Sequence, residues 1–209
     1  RSHRILSFII NNTFFSVMLF KKEDFIFQYN AKLDSTICEN IIKLFEDNQN
    51  EHKSGVIGSD RKVIPSMKDC TQVDFLFSQG NYVTDQTQRM LIRSVNKFVE
   101  KYQLGDHGFR ISDEFNMQRY NPGQAYHKLH CENSGGSYPL RFLAWMIYLN
   151  DVNDGGQTYF PNQNKKLKPR QGDVYLWPAI FTHRHQGLVS KTQTKYILTG
   201  WCEFTSPYK

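Results

Sequence analysis

The chain has 209 residues, enough to bury one hydrophobic core without disulfides or a structural metal. A hydrophobic content of 39% and an aromatic content of 14% suit a β-rich globular domain and exclude a disordered chain. The net charge of +6 would favour an acidic partner, but the basic residues are dispersed. The one dense basic cluster, residues 165–170, is predicted to be a solvated loop and lacks the interleaved aromatic residues of a stacking platform. No nucleic-acid partner is therefore predicted.

The four cysteines are widely scattered and form no C-x-x-C pair: Cys38, Cys70, Cys131 and Cys202. This spacing argues against a zinc ribbon and against a dense framework of disulfides. We therefore expect a reducing compartment, and a cytoplasmic location is the prediction.

Residues 1–24 contain an apolar run that superficially resembles a signal peptide or a membrane anchor. Polar residues at positions 11–13 interrupt the run, no small-residue cleavage site follows it, and about 20 uninterrupted apolar residues are needed to span a bilayer. The segment is therefore predicted to be an added strand or pairing element, and no membrane partner is expected. A former membrane anchor is the alternative that the sequence leaves open.

Two helices are predicted in the first half of the chain, after a strand at residues 24–30. The first lies within residues 33–49, with Asp34 or Ser35 as its N-cap. Its apolar residues recur at helical spacing: Ile37, Ile41, Ile42, Leu44 and Phe45. The second lies within residues 81–103, and its apolar face comprises Met90, Leu91, Val95, Phe98 and Val99.

From residue 109 onward the sequence changes to short strands separated by turns. Strands are predicted at residues 109–120, 141–151, 172–179 and 195–204. Between the two helices, residues 52–68 are predicted to be a loop. Helices first and strands afterwards predict an α+β domain in which the helices buttress one face of a β-sandwich or barrel.

Two histidines, a cysteine and a glutamate lie close together in residues 127–132. On a strand, side chains two residues apart share a face, so His130 and Glu132 would present an imidazole and a carboxylate together. Cys131 would then pack on the opposite face. His127 has no carboxylate two residues further on and is rejected as a ligand. The H-x-E pair alone is a weak signal, because such pairs are common by chance.

A third ligand must come from another part of the chain, where His183 and His185 again lie two residues apart on one face. Two histidines and one carboxylate, with coordination positions left open, form the ligand set of non-haem Fe(II) oxygenases.

Lys195 begins the last predicted strand, ten residues after His185. If that strand runs into a barrel, its interior face carries Lys195, Ile197, Thr199 and Trp201. A buried lysine is costly unless an anion pairs with it. A dicarboxylate co-substrate that binds the metal through one end would supply that anion at its other end.

Four stretches taken together resemble the 2-oxoglutarate (2OG) and Fe(II)-dependent oxygenases, specifically their prolyl 4-hydroxylase-like branch. They are QRYNPGQAYHKLHCE (118–132), YLNDVNDGGQTYFP (148–161), GDVYLWPA (172–179) and HQGLVSKTQTKYILTGW (185–201). The resemblance implies a double-stranded β-helix, which is a jelly-roll, cupin-like barrel with flanking helices.

With that fold, residues 1–209 are expected to form a single oxygenase domain. Residues 1–108 would supply the N-terminal strand and supporting helices, and residues 109–205 the catalytic jelly-roll core. Residues 54–70 are predicted to be a mobile loop over the substrate site.

By position, the resemblance implies that the iron ligands are His130, Glu132 and His185. Lys195 would bind the distal carboxylate of 2OG, and Tyr120 would hydrogen-bond with the co-substrate or within the active site. Most of the branch has aspartate where this chain has Glu132, which is one methylene longer. The implied metal and co-substrates are Fe(II), 2OG and O₂, with ascorbate as a further cofactor.

Several neighbours of these motifs have more than one interpretation. His185 is favoured over His183 as the metal ligand, because a Gln-Gly pair follows His185 and Lys195 lies ten residues after it. His183 is predicted to lie behind the ligands or beside the substrate. Arg141 meets either a substrate carboxylate or an acidic neighbour. Tyr126 either lines the pocket or packs in the core.

The implied activity is the hydroxylation of a C–H bond, coupled to the decarboxylation of 2OG to succinate and CO₂. The implied substrate is a proline-containing peptide or protein. One rival interpretation is a non-catalytic, metal-binding sensor of the cupin type, which would have no use for Lys195. Another is an oxygenase that acts on a nucleobase or a small molecule. The sequence gives no prediction of the oligomeric state.

Overall fold

A computed structural model of the chain describes residues 6–10, 13–17, 23–58, 60–105, 108–133 and 138–205. The first two ranges are strands Leu6–Ile10 (β1) and Thr13–Val17 (β2), which pair antiparallel as a hairpin. The predicted pairing element is confirmed for these residues, and the rest of residues 1–22 lies outside the described part. None of the helices in the described residues has the length and apolar character needed to cross a membrane.

The two predicted helices are confirmed and run over Ser35–Asp47 (α1) and Tyr82–Tyr102 (α2). The Asp34 carboxylate caps α1 by accepting hydrogen bonds from two amides of its first turn. The buried face of α1 consists of Cys38, Ile41 and Phe45. Leu44, predicted to share that face, is 40% exposed because it lies beside this i, i+3, i+7 stripe and not on it.

Ten further strands follow the hairpin. They are Phe27–Gln28 (β3), Lys53–Ser54 (β4), Thr71–Leu76 (β5), Phe109–Tyr120 (β6), Arg141–Tyr148 (β7), Thr158–Phe160 (β8), Lys165–Leu167 (β9), Val174–Pro178 (β10), Gln186–Gly187 (β11) and Lys195–Phe204 (β12). The larger sheet has the order β3-β10-β7-β12-β6-β5-β4, and the smaller has the order β11-β8-β9. In the described part of the chain, these strands all pair antiparallel.

The central strand β7 shows how the larger sheet divides the molecule into layers. One side of β7 packs into the core that includes α1 and α2, through Leu143, Trp145 and Ile147. The other side packs towards β8 and β9, through Ala144, Met146 and Tyr148. The helices therefore buttress one face of the larger sheet and the smaller sheet covers the other, which confirms the predicted α+β architecture.

Two predicted loops contain strands, and three strands, β5, β8 and β11, were not predicted. Lys165–Leu167, predicted to be solvated loop, forms β9 because it pairs in register with β8, and Lys165 Nζ also contacts Asp24 Oδ2 at 2.7 Å. Lys53–Ser54, also predicted as loop, forms β4 against β5. Strand β5 had no prediction, although it pairs with β6 over six residues.

Candidate metal and co-substrate site

Two backbone hydrogen bonds hold His130 and His185 side by side. The amide of His130 donates to the carbonyl of His185 at 3.0 Å, and the amide of His185 donates back to the carbonyl of His130 at 2.8 Å. This isolated bridge takes the place of the regular strand that was predicted at His130 and Glu132. Glu132 is anchored separately, because its amide donates at 3.0 Å to the carbonyl of Ala179, just after β10.

The side chains of His130, Glu132 and His185 converge in one cavity. Glu132 Oε1 lies 3.4 Å from His130 Nε2 and 3.5 Å from His185 Nε2. The Nδ1 atom of His130 lies 2.8 Å from the carbonyl oxygen of Lys128. The Nδ1 atom of His185 lies 3.0 Å from the carbonyl oxygen of His183. Since a carbonyl only accepts, both Nδ1 atoms carry the proton, and both Nε2 atoms turn a lone pair towards Glu132.

These protonation states suit a metal. Burial and the neighbouring His185 ring lower the pKa of His130, so its imidazole is neutral. The pKa of Glu132 lies well below its usual range although burial alone would raise it, so the carboxylate is ionised. Lone pairs and an anionic oxygen within 4.8 Å of one another repel unless a cation lies between them. The donor set therefore fits a divalent transition metal such as Fe(II).

The second carboxylate oxygen of Glu132 has partners of its own. The indole N–H of Trp201 donates to Oε2 at 2.8 Å, and Nη1 of Arg141 lies 3.7 Å from Oε2. The Arg141 guanidinium carbon lies 3.7 Å from the centre of the Tyr138 ring and 3.4 Å from that of the Trp201 ring. Arg141 therefore has Glu132 as an acidic neighbour, which is one of the two interpretations that the sequence left open.

The interior face predicted for β12 is confirmed, because the same cavity is lined by Lys195, Ile197, Thr199 and Trp201. Lys195 is 4% exposed, and its ammonium donates to the carbonyl of Gly156 at 2.9 Å. Burial lowers the pKa of Lys195 to about 8. Among the described residues, no carboxylate oxygen lies within 4.0 Å of the ammonium nitrogen. The position therefore calls for an anion from outside the protein.

The carbonyl that accepts the hydrogen bond from Lys195 belongs to a glycine. Gly156 has a φ of 71°, in the left-handed region that favours glycine. A Cβ at this position would lie 3.1 Å from Val152 Cγ1, which is closer than ordinary van der Waals contact. A side chain would thus disturb the turn that presents the Gly156 oxygen to Lys195.

Tyr120 is buried next to Lys195, whose ammonium lies 4.7 Å from the centre of its ring. The hydroxyl donates to Gln118 Oε1, and burial raises the pKa of Tyr120 well above its usual value, so it stays protonated. Tyr120 lines the cavity, but its predicted hydrogen bond with the co-substrate stays a prediction.

The remaining histidines of the two motifs face elsewhere. His127 is exposed. The prediction that His183 shares a face with His185 was wrong, because Phe181–His183 is a 3₁₀ turn, in which strand alternation does not apply. Nε2 of His183 donates to the carbonyl of Asp24 at 2.9 Å. The contribution of His183 to the site is therefore its own carbonyl, which orients His185.

Aromatic rings pack around the two candidate ligands His130 and His185. Tyr126 stacks on His130 with ring centroids 3.8 Å apart, and it also lines the cavity. Phe160 and Trp177 each lie 5.1 Å from His185, centroid to centroid. Phe160 and Trp177 were not predicted to belong to the site, although both lie within the motif stretches, which was the available signal.

Residues 54–70 border the cavity, as predicted for a loop over the substrate site. Arg61 fastens this segment by ion pairs with Asp74 and, at 3.3 Å, with Glu114. Lys68 is buried and donates to Gln72 Oε1 at 2.9 Å. The predicted mobility of the segment stays a prediction.

Comparisons with known proteins agree with this geometry. Residues 115–203 match the model of the 2OG-Fe(II) oxygenase superfamily. A putative prolyl 4-hydroxylase of Acanthamoeba polyphaga mimivirus is 30% identical over 113 residues, which are 44% of this chain and 46% of that protein. The probable prolyl 4-hydroxylase 9 of Arabidopsis thaliana is 29% identical over 115 residues, 43% of this chain and 40% of that protein. The chain thus spans less than half the length of these curated relatives.

Solved structures share the fold. The viral collagen prolyl hydroxylase of Paramecium Bursaria Chlorella virus-1, in its 2OG complex, aligns with a TM-score of 0.65 at 20% identity, covering 87% of this chain and 97% of that one. A prolyl hydroxylase from Trichoplax adhaerens, in complex with a peptide fragment of the hypoxia inducible factor oxygen degradation domain, aligns with a TM-score of 0.67 at 17% identity, covering 87% and 84%. The predicted double-stranded β-helix is confirmed by these likenesses.

The matched residues include the two motif regions that supply the converging side chains, from His130 to Lys195. Fe(II), 2OG and O₂ are the metal and co-substrates that the superfamily implies. Over residues 115–203 the chain resembles the 2OG-Fe(II) oxygenase superfamily, and its curated relatives indicate the prolyl 4-hydroxylase-like branch of that superfamily.

Proposed function

We propose that this protein is an Fe(II)- and 2OG-dependent dioxygenase that hydroxylates a C–H bond. The proposed substrate is a prolyl residue in a peptide or protein. One observation carries the proposal. The lone pairs of His130 and His185, the Glu132 carboxylate and the buried ammonium of Lys195 face a single cavity. A metal site alone would not need that ammonium.

Bound Fe(II) would supply the centre at which 2OG is decarboxylated to succinate and CO₂ while one oxygen atom of O₂ enters the substrate. The residues that would hold it are His130, Glu132 and His185. The carbonyls behind each Nδ1 atom fix the tautomers, so that both histidines keep Nε2 free as a donor to the metal.

Lys195 would bind the distal carboxylate of 2OG. The neighbours of its ammonium are a carbonyl and an aromatic face, and neither carries a full negative charge. The carboxylate of 2OG would therefore supply the negative charge that compensates the buried ammonium. Tyr120 would position this end of the co-substrate, with its ring beside the ammonium. The rings of Phe160 and Trp177 beside His185 would help to exclude water.

The substrate part of the proposal rests on the relatives, which carry the name prolyl 4-hydroxylase. Residues 54–70 border the cavity and would contact the peptide. We propose further that residues 1–209 form one oxygenase domain, since β3, β4 and β5 belong to the same sheet as the strands after residue 109. A cytoplasmic location and stimulation by ascorbate are also part of the proposal.

The test is succinate formation from 2OG, measured with Fe(II) and a panel of proline-containing peptides. Hydroxylation of each peptide is read by mass spectrometry. Succinate release should require Fe(II) and should be lost in His185→Ala, which removes a ligand. His127→Ala is the matched control, because this exposed histidine lies outside the site and should keep the activity. Equal losses in the two variants would contradict the assignment.

The rival interpretations predict different results in the same assay. A cupin-type sensor would bind iron at the three residues but would neither bind nor turn over 2OG. An oxygenase for nucleobases or small molecules would release succinate with those substrates and not with peptides. Lys195→Ala should raise the 2OG requirement sharply and leave iron binding intact, and an unchanged requirement would overturn the role given to Lys195.

A further inference from the structure

The carboxylate ligand of this chain is a glutamate, and its two oxygens have different partners. The extra methylene gives Glu132 one more rotatable bond than aspartate, so its carboxylate can present either one oxygen or both. Oε1 faces the two histidines, at 3.4 and 3.5 Å from their Nε2 atoms. Oε2 accepts the hydrogen bond from Trp201 Nε1 at 2.8 Å. The indole therefore holds one oxygen away from the metal position.

Trp201 is itself held in place. The guanidinium of Arg141 lies over its ring at 3.4 Å. On β12, Trp201 pairs with Ala144 of β7, whereas the register with β6 shifts between Gly200 and Cys202. Such irregularities commonly re-aim a side chain near a site. The strand and the stacked arginine together leave the indole N–H pointing at Glu132.

The consequence concerns the number of coordination positions. Two histidines and one carboxylate oxygen leave three of the six positions of an octahedral metal open, which the non-haem oxygenase set requires. A carboxylate that bound through both oxygens would fill one of them. The hydrogen bond from Trp201 opposes this, because turning Oε2 towards the metal would break a bond to a charged acceptor.

We propose that Trp201 is a positioning residue that makes Glu132 a one-oxygen ligand and so compensates for its extra methylene. This inference rests on the metal site of the proposed function. Trp201 acts through Glu132 and does not touch the metal. Its role is therefore measurable without turnover, as the affinity and spectrum of a metal bound to the otherwise ligand-free protein.

The first experiment titrates the metal-free protein with Co(II) and with Mn(II), in the absence of 2OG and substrate. Trp201→Phe keeps an aromatic ring for Arg141 but removes the N–H, and it should weaken metal binding by about 10- to 100-fold. Its cobalt absorption should change, because the intensity of these bands reports the coordination number. Trp145→Phe is the matched control: its buried indole nitrogen has no hydrogen-bond partner among the residues that the structure describes, so its loss should leave metal affinity unchanged.

The second experiment is a double-mutant cycle with Glu132→Asp. The shorter aspartate lacks the second methylene, whose rotation Trp201 would restrain, so Trp201→Phe should cost much less metal affinity in the aspartate background. If Glu132→Asp binds no metal, the comparison of Trp201→Phe with Trp145→Phe decides alone. If Trp201→Phe does not fold, 3-benzothienyl-alanine at position 201 replaces the N–H by sulfur and carries the same expectation.

Three outcomes would overturn the inference. They are wild-type metal affinity and spectrum in Trp201→Phe, an equal loss in Trp145→Phe, or an equal loss in both backgrounds of the cycle. Failure of the proposed function looks different, because the wild-type protein would then bind no metal, or would bind it equally well after His185→Ala.

Discussion

At the scale of single residues, the environment of Lys195 determines how the proposed binding of 2OG depends on pH. It is a buried ammonium with a carbonyl and a ring as neighbours, and burial lowers its pKa to about 8. Below pH 8 the group is charged and can bind a carboxylate, and above pH 8 it loses its proton. The proposed 2OG site should therefore weaken as the pH rises.

The prediction is that affinity for 2OG in the Mn(II)-loaded protein is constant below pH 8 and falls up to about tenfold per pH unit above it. Lys195→Arg should remove this slope, because arginine stays charged throughout. Isothermal titration of both proteins on either side of pH 8 checks it. The same slope in both proteins would show that another group titrates.

At the scale of elements, α2 supports the sheet from behind the site. Phe98 of α2 is 2% exposed and meets Phe27 of β3 edge-on, with ring centroids 5.8 Å apart. Ile92 lies on the opposite side of the same helix and is 49% exposed. Substitution of Phe98 therefore tests the packing of α2 against the sheet, and substitution of Ile92 tests the intrinsic helix propensity of α2.

Phe98→Ala should lower the free energy of unfolding by about 3–5 kcal/mol, because it leaves a cavity between α2 and the sheet. Ile92→Ala, the matched control, should change it by about 0.5 kcal/mol or less. Urea unfolding followed by circular dichroism measures both. Comparable losses would mean that the helix does not act through this packed face.

The segment of residues 54–70 is the second element with a testable role. Arg61 ties it to β5 and β6 through Asp74 and Glu114, and its side chain is half exposed. Exposed ion pairs contribute at most about 1 kcal/mol, so this contact matters for placing the segment more than for stability.

Arg61→Gln should therefore raise the KM for a peptide substrate several-fold, with little change in unfolding free energy or in the 2OG requirement. Lys62→Gln is the control, because Lys62 pairs with Asp60 of the same segment and ties it to no strand. Steady-state kinetics with the best peptide of the panel distinguishes them. An unchanged KM in Arg61→Gln would remove the segment from substrate binding.

At the scale of the whole molecule, metal binding and folding should be coupled. The proposed ligands come from the segment after β6 and from the turn before β11, and only the folded chain brings their donor atoms within 4.8 Å of one another. A ligand that binds only the folded state stabilises it, by about 2.7 kcal/mol at a concentration of 100 times its Kd.

Mn(II) should therefore raise the midpoint of thermal unfolding, and His185→Ala should abolish the increase. His127→Ala should retain it, because His127 lies outside the cluster. Differential scanning calorimetry with and without a chelator measures the shift. An increase of the same size in His185→Ala would place the bound metal elsewhere.

The sequence by itself determined the elements whose signals are local. The apolar stripe of α2 and the twelve residues of β6 were predicted within one residue of their ends, because side-chain periodicity is set by neighbours along the chain. The proximity of His130 and Glu132 was also predictable from their i, i+2 spacing, although an isolated bridge takes the place of the regular strand from which it was predicted.

The tertiary structure decided what depends on partners that are distant in sequence. Lys165–Leu167 forms a strand because its backbone pairs with that of β8. His183 turned away because it lies in a 3₁₀ turn, and its carbonyl, not its ring, serves the site. The bond from Trp201 to Glu132 joins residues 69 positions apart, and no periodicity records it. Hydrogen bonds form wherever folding brings a donor to an acceptor, so local spacing indicated the candidate pair His130 and Glu132, whereas the partners that orient these side chains emerged only from the packed chain.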